Sequence, residues 1–180
     1  MYLSAFYNYE DSGNITNERC PLLPRKFNLK LMIASDIHLS EIMTWFSNEE
    51  ELSIWSGPNF RFPLSFNSFK EDLKLDELKA FALISDKSEL LAFGQYSLRV
   101  NRCHLVRLIV SPHHRRQGVA SILIEQLMTL GKSDLKTQSS SLFVLEHNIN
   151  AIKAYKKVGF SMTNYPEKIP FKNCLYMVKA

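Results

Sequence analysis

From residue 29 onward the apolar positions recur in two rhythms. Residues 29–33 form a short apolar run of strand length. Ser35 or Asp36 can then cap a helix to about Glu50, with Ile37, Ile42, Trp45 and Phe46 on one face. Residues 54–63 break the rhythm: Trp55, Gly57, Pro58, Phe60, Phe62 and Pro63 read as an aromatic loop. Ser65 can cap a second helix to about Leu78, striped by Phe66, Phe69, Leu73 and Leu78. Residues 79–84, 90–98 and 105–110 are strand-like, the first two joined by a hairpin turn at Asp86-Lys87-Ser88. A helical pattern follows, with Val119, Ile122, Leu123, Leu127 and Leu130 on one side. Residues 142–145 are another strand. Asn148 opens a short helix that Gly159 can end in the left-handed region, and residues 174–178 make a last strand. The order predicts an α+β fold: a twisted, mixed, mostly antiparallel sheet flanked by helices.

Residues 1–27 show no sustained period and are expected to be an N-terminal extension, leaving residues 28–180 as one domain. The chain has 180 residues, 46% of them hydrophobic, and a net charge of +4 from 22 basic and 18 acidic residues. That composition excludes wholesale disorder. No apolar run approaches the ~18–20 residues of a membrane span, and residues 1–10 lack the pattern of a signal peptide. Cys20, Cys103 and Cys174 lie far apart with no CxxC pair, so neither a zinc site nor a disulfide framework is expected. Cys103 and Cys174 sit in apolar runs and read as small buried hydrophobes. The reducing cytosol is the expected compartment. The mild charge argues against a dedicated nucleic-acid binder but suits a local site for a small anion.

Such a site is legible in residues 108–120, Leu-Ile-Val-Ser-Pro-His-His-Arg-Arg-Gln-Gly-Val-Ala. A strand ends, a basic turn follows, and a helix begins at Gly118 and Ala120. Free amides at a helix start, with the helix dipole behind them, attract anions. Arg115 and Arg116 add charge, and Gly118 allows close backbone approach. The spacing matches neither GxxxxGK[ST] nor GxGxxG. His113 and His114 are expected on the solvent side of this turn. A cationic surface turn capping an ordinary helix would look the same.

A second segment narrows the choice. Residues 142–160 contain Asn148, Ala151, Tyr155, Gly159 and Phe160 in an Asn-x-x-Ala-x-x-x-Tyr…Gly-Phe pattern. Arg115, Gly118 and Ala120 fit Arg/Gln-x-x-Gly-x-Gly/Ala. In that order and spacing, the two motifs resemble those of the GCN5-related N-acetyltransferase (GNAT) superfamily, over residues 79–160. The resemblance implies the GNAT fold, with splayed central strands, and acetyl-CoA as cosubstrate. It implies that the amides of Arg115, Arg116, Gln117, Gly118, Val119 and Ala120, with Ser121 beyond, receive the pyrophosphate. The pantetheine arm would pair like a strand with Leu108, Ile109 and Val110. Asn148 would bond pantetheine or cap its helix, and Ala151 would lie against the cofactor. No metal is implied.

The implied reaction is direct attack of a primary amine on the thioester in a ternary complex, the amine belonging to a small molecule, peptide or protein. Tyr155 is the candidate general acid at the sulfur. A phenol (pKa ~10) gives its proton to a thiolate (~8.5) uphill by ~2 kcal/mol, so hydrogen bonding to developing charge is the main expected help. The family often supplies a Glu base on the central strands, but residues 103–108 contain no acid. His104 and Glu146 are the candidate bases, and Arg107 either faces the acceptor or pairs on the sheet. Trp55, Phe60 and Phe62 are the expected acceptor wall. Ordinary packing of the early helices is the competing account of these aromatics. Lys153, Lys156 and Lys157 read as a solvated helix face. The alternatives are a non-catalytic acyl-CoA-binding module and, less in keeping with the charge, an RNA-associated module. No membrane or nucleic-acid partner is expected, and a homodimer is compatible with the family.

Overall fold

The computed structural model describes residues 29–58, 60–169 and 171–180. The expected extension at residues 1–27, with Cys20, lies outside them. Seven strands form one sheet in the order β1-β2-β3-β4-β5-β7-β6. They are β1 (Lys30–Ile33), β2 (Ala80–Ile84), β3 (Leu90–Arg99), β4 (Arg102–Val110), β5 (Ser140–Leu145), β6 (Ser161–Thr163) and β7 (Cys174–Lys179). Every neighbouring pair is antiparallel except β4–β5, which is parallel. The helix α4 (Val119–Leu135) makes that parallel crossover. The mixed α+β sheet expected from the pattern is therefore the one observed.

Helices cover both faces. Leu123, Ile124, Leu127 and Met128 of α4 pack with Ala151, Ile152 and Tyr155 of α5 (Ile149–Lys157) against Cys103, Leu105, Leu108 and Val110 of β4. On the other face lie α1 (Asp36–Met43), α2 (Glu49–Ser56) and α3 (Phe66–Asp72), whose core is Leu39, Ile42, Leu52, Trp55, Phe69 and Leu73 against Phe93 and Ile109. A third cluster, Phe143, Cys174 and Tyr176, closes the β5–β7 end.

The predicted first helix divides. It stops at Thr44, and Asn48 begins α2 by accepting the Glu51 amide at 2.9 Å. Asn caps a helix better than it continues one. Ile37 is 78% exposed, not part of the inner face, and Leu39 takes that place. Trp55, expected in a loop, lies inside α2. The second helix ends early, at Asp72, because Lys74 turns into the left-handed region (φ 52°). On α4 the predicted stripe is rotated: Leu130 is exposed, while Ile124 and Met128 are buried. The short strand β6 has no counterpart in the sequence reading.

Candidate functional site

The site begins with an irregularity in β4. Phe93 pairs with Ile109 and Gln95 with Val106, so β4 carries one residue more than β3 across this stretch. Arg107 takes up the extra length at φ 52°, the mark of a β-bulge. The bulge resets the alternation, which is why Leu105 and Leu108 both face α4. Gly94 makes room for it. A Cβ there would come within 2.6 Å of both Leu108 and Leu127.

Past the bulge, β4 leaves β5. The two strands pair only at Cys103↔Ser140, His104↔Ser141 and Leu105↔Leu142. Val106, Ile109 and Val110 keep their β3 partners, and none of residues 106–110 has a partner on the β5 side among the described residues. The side chains of Leu108, Ile109 and Val110 belong to the core. What this stretch offers is a row of backbone groups on an open edge, the requirement for β-addition.

The edge runs into the predicted basic turn. Pro112–His114 form one 3-10 turn, Arg115 is extended, and Arg116 (φ 62°) and Gly118 (φ 81°) are left-handed. Gly118 is the N-cap of α4 and brings no side-chain cap. The amides of Val119 and Ala120 open α4 with no carbonyl of an earlier turn to reach, and the Ser121 amide donates to the Gly118 carbonyl at 3.1 Å. Space is open here, since a Cβ on Gly118 would meet nothing within 4 Å. Arg115 is half-buried, its Nε donating to the Val110 carbonyl at 3.4 Å. Arg116 and Gln117 are exposed, and Gln117 donates to the His113 carbonyl. Val119 is buried, while Ala120 and Ser121 are half-buried. His113 is exposed. His114 is half-buried, with Glu89 3.7 Å away.

Across the opening, Asn148 caps α5: its side-chain carbonyl accepts the Ala151 amide at 3.1 Å. The NH2 end of Asn148 is the part able to donate elsewhere. Tyr155 is fully buried on the inner face of α5, edge-on to Phe160 at 6.1 Å. Gly159 follows the helix at φ 100°, and Lys153, Lys156 and Lys157 are exposed.

The remaining candidates are rearranged. His104 is fully buried, bonded through Nδ1 to Ser141 Oγ at 2.9 Å and packed on Phe143 and Tyr176. Burial, with Arg99 nearby, holds its pKa well below the usual imidazole range. It is thus a neutral side chain of the core, closed off from solvent. Glu146 is exposed just beyond β5. Trp55 is 1% exposed, ringed by Phe46, Phe60, Phe69 and Phe93. It is core, which corrects the expectation that it walls an acceptor. Phe60 is half-buried and Phe62 is exposed. Cys103 and Cys174 are buried, their thiols pushed up to about 12 by desolvation. Among the described residues no group of His, Cys, Asp or Glu could hold a metal, and no helix is long and apolar enough to cross a membrane.

Sequence reasoning missed a cleft of about 380 Å³ between α2 and the end of β5. Glu50, Ile54 and Gly57 line one side; Leu145, His147 and Lys172 line the other. These residues come from three separate stretches of chain, and no local pattern marks them as neighbours.

An open edge at a bulged central strand thus leads directly into the turn at the start of α4. Residues 40–160 match the model of the Acetyltransferase (GNAT) family, and the chain belongs to that family. It is 27% identical over 115 residues to probable N-acetyltransferase san of Drosophila melanogaster, covering 59% of this chain and 60% of that protein. It is 28% identical over 107 residues to peptidyl-lysine N-acetyltransferase YjaB of Salmonella typhimurium, covering 56% and 67%. The chain thus spans about 60% of the length of the first of these relatives. The fold is similar to that of spermidine N-acetyltransferase from Vibrio cholerae, solved in complex with CoA and spermine. The TM-score is 0.65 at 20% identity, over 84% of this chain and 94% of that one.

Proposed function

We propose that this chain is an acetyl-CoA-dependent N-acetyltransferase that acts on a primary amine in a ternary complex. The observation that carries the reading is the continuity of the open β4 edge with the turn at residues 115–120. One surface offers backbone partners for an amide-bearing arm, and the next offers amides and arginines for a pyrophosphate. The named N-acetyltransferase relatives support it. Acetyl-CoA supplies an activated acyl group. Leu108, Ile109 and Val110 orient its arm through their backbone. The amides of residues 115–120, with Ser121, hold its phosphates. Asn148 adds a donor from its NH2 end, and Ala151 keeps the approach clear.

Tyr155 faces the same interior and supplies a hydroxyl to the sulfur as charge develops there. The amine must arrive unprotonated. At neutral pH an α-amine (pKa ~8) meets that condition far more often than a lysine amine (~10.4). The cleft between α2 and the end of β5 is the route by which the amine enters. Residues 28–180 are the transferase domain in this reading, and the buried thiols suit a reducing cytosol.

The test is a thermal shift with acetyl-CoA, for wild type and Gly118→Glu. A ligand at ~100 times its Kd stabilises by ~2.7 kcal/mol. Wild type should shift and Gly118→Glu should not. An amine screen by CoA-thiol release then identifies the acceptor. No shift of wild type at millimolar acetyl-CoA would overturn the reading.

A further inference from the structure

The side chain of Arg107 is used neither by the cofactor turn nor by the open strand edge, which works through backbone. Its side chain is 1% exposed, although guanidinium groups are rarely buried without a specific set of partners. Those partners are unusual. Nη1 donates to the Leu73 carbonyl at 2.8 Å and to the Gln95 side-chain carbonyl, and Nη2 donates to the Asp72 carbonyl at 2.8 Å. Asp72 and Leu73 are the C-terminal end of α3, where carbonyls lack intrahelical donors and the helix dipole is negative. Gln95 turns its NH2 end to the Leu73 carbonyl at 3.1 Å, completing the ring of bonds. The ring of Phe60 covers the guanidinium, 5.0 Å from its central carbon.

The same helix end is gripped from outside. Arg61, next to Phe60, binds Asp72 through its backbone amide at 3.0 Å and its guanidinium at 2.8 Å. Residues 60 and 61 are therefore fixed from both sides, Phe60 by Arg107 within and Arg61 by Asp72 without. Three residues earlier, Gly57 and Pro58 form part of the cleft wall. The β4 bulge thus holds Phe60 through Arg107, and Phe60 lies two positions along the chain from Pro58 of that wall.

We infer that Arg107 is a positioning residue for the acceptor: at the point where β4 splays it fixes Phe60, the residue that follows the Gly57 and Pro58 wall of the cleft by two positions. The inference rests on the N-acetyltransferase reading for its kinetic part only. A guanidinium suits the task because its planar fork reaches three carbonyls at once, which an ammonium on a flexible stem cannot match. Its bulge position turns its side chain to the α3 side while Leu105 and Leu108 stay in the opposite core.

The test compares wild type with Arg107→Lys, Arg107→Met and Phe60→Leu. The acceptor probe is whichever of spermidine, a lysine peptide and a peptide with a free N-terminus the wild type acetylates best. Arg107→Met should raise acceptor KM at least 10-fold while acetyl-CoA affinity stays within about two-fold. Arg107→Lys should recover part of that loss, and Phe60→Leu should raise KM without a comparable fall in melting temperature. Hydrogen exchange at the Gly57 and Arg61 amides, bonded to Ser53 and Asp72, should quicken in the same order. A fall in stability with acceptor KM unchanged would overturn the inference. So would unchanged exchange at those two amides, a readout that holds even when no probe is acetylated. If Arg107→Met does not fold, Arg107→Lys and Phe60→Leu carry the same comparison. Failure of wild type to bind acetyl-CoA would instead count against the broader reading.

Discussion

On the α4–α5 side of the sheet, the turn proposed to take the anion and the start of α4 occupy one continuous stretch, residues 110–120. On the α1–α3 side, a single clamp joins Phe60, Asp72, Leu73, Gln95 and Arg107, with Asp72 and Arg107 35 positions apart. The first side works through backbone: left-handed residues, amides and an open strand edge. The second works through side chains brought together by packing. Recognition of a constant ligand part needs only the former. Selection of a particular acceptor needs the latter, because only side chains differ enough to discriminate. The two meet at the β4 bulge, which opens the edge on one flank and aims Arg107 at the other.

Trp55→Ala should break this comparison most severely. The indole touches Phe46, Phe60, Phe69 and Phe93, so its removal empties the centre of the α1–α3 core. The expected loss is about 3–5 kcal/mol of stability, read by denaturant unfolding. If Trp55 were an acceptor wall, the variant would instead keep its stability and lose only acceptor affinity.

Tyr155→Phe tests the other side with little change of volume. Turnover should fall ~10²-fold or more, as expected of a positioned acid, with acetyl-CoA affinity little altered. Wild-type turnover would reduce Tyr155 to a core aromatic. The contrast with Trp55→Ala is the point: one change costs catalysis at nearly constant stability, the other costs stability first.

His104 gives a smaller, pH-dependent effect. The folded protein holds it neutral, with its pKa well below 6.5, whereas the unfolded chain protonates it near 6.5. The unfolded state therefore binds more protons below that pH, and stability falls as the medium is acidified. One such group contributes a slope of up to about 1.4 kcal/mol per pH unit between the two pKa values. His104→Gln should remove that component of the slope. An unaltered slope would show that His104 takes up a proton as readily in the fold as in the unfolded chain, and is not held neutral by burial.

What could be read in advance follows the same division. Gly118 and Asn148 are legible because a left-handed turn and a helix cap are local demands on local residues, while Arg115, Ala120 and Tyr155 stand out through the motif resemblance. The strands were legible because residues 79–110 alternate or run apolar. The bulge was not, since Arg107 lies in an apolar run that gives no sign of an extra residue. Nor was the break at Thr44: Trp45 and Phe46 continue a helical apolar pattern, and only the cap at Asn48 shows that a new helix begins. The cleft left no trace in the sequence, because Glu50, Gly57 and Lys172 are neighbours only after the sheet has formed.

The smallest predicted effect concerns the hairpin that joins β3 to β4. Arg99 pairs with Arg102, so Val100 and Asn101 make a two-residue turn, both left-handed at φ 46° and 53°. Such turns suit the twist of the strands and favour Asn-Gly or Asp-Gly. Asn101 meets the demand, but Val100 does not: a β-branched side chain at positive φ is strained by about 1–2 kcal/mol. Val100→Asn relieves part of this without touching the bulge, the turn or the clamp. It should raise stability by about 1 kcal/mol in denaturant unfolding and leave the kinetics of acetyl transfer unchanged. A destabilised Val100→Asn would mean that the valine side chain is worth more in packing than its backbone costs. The hairpin would then belong with the side-chain-built half of the molecule and not with the backbone-built one.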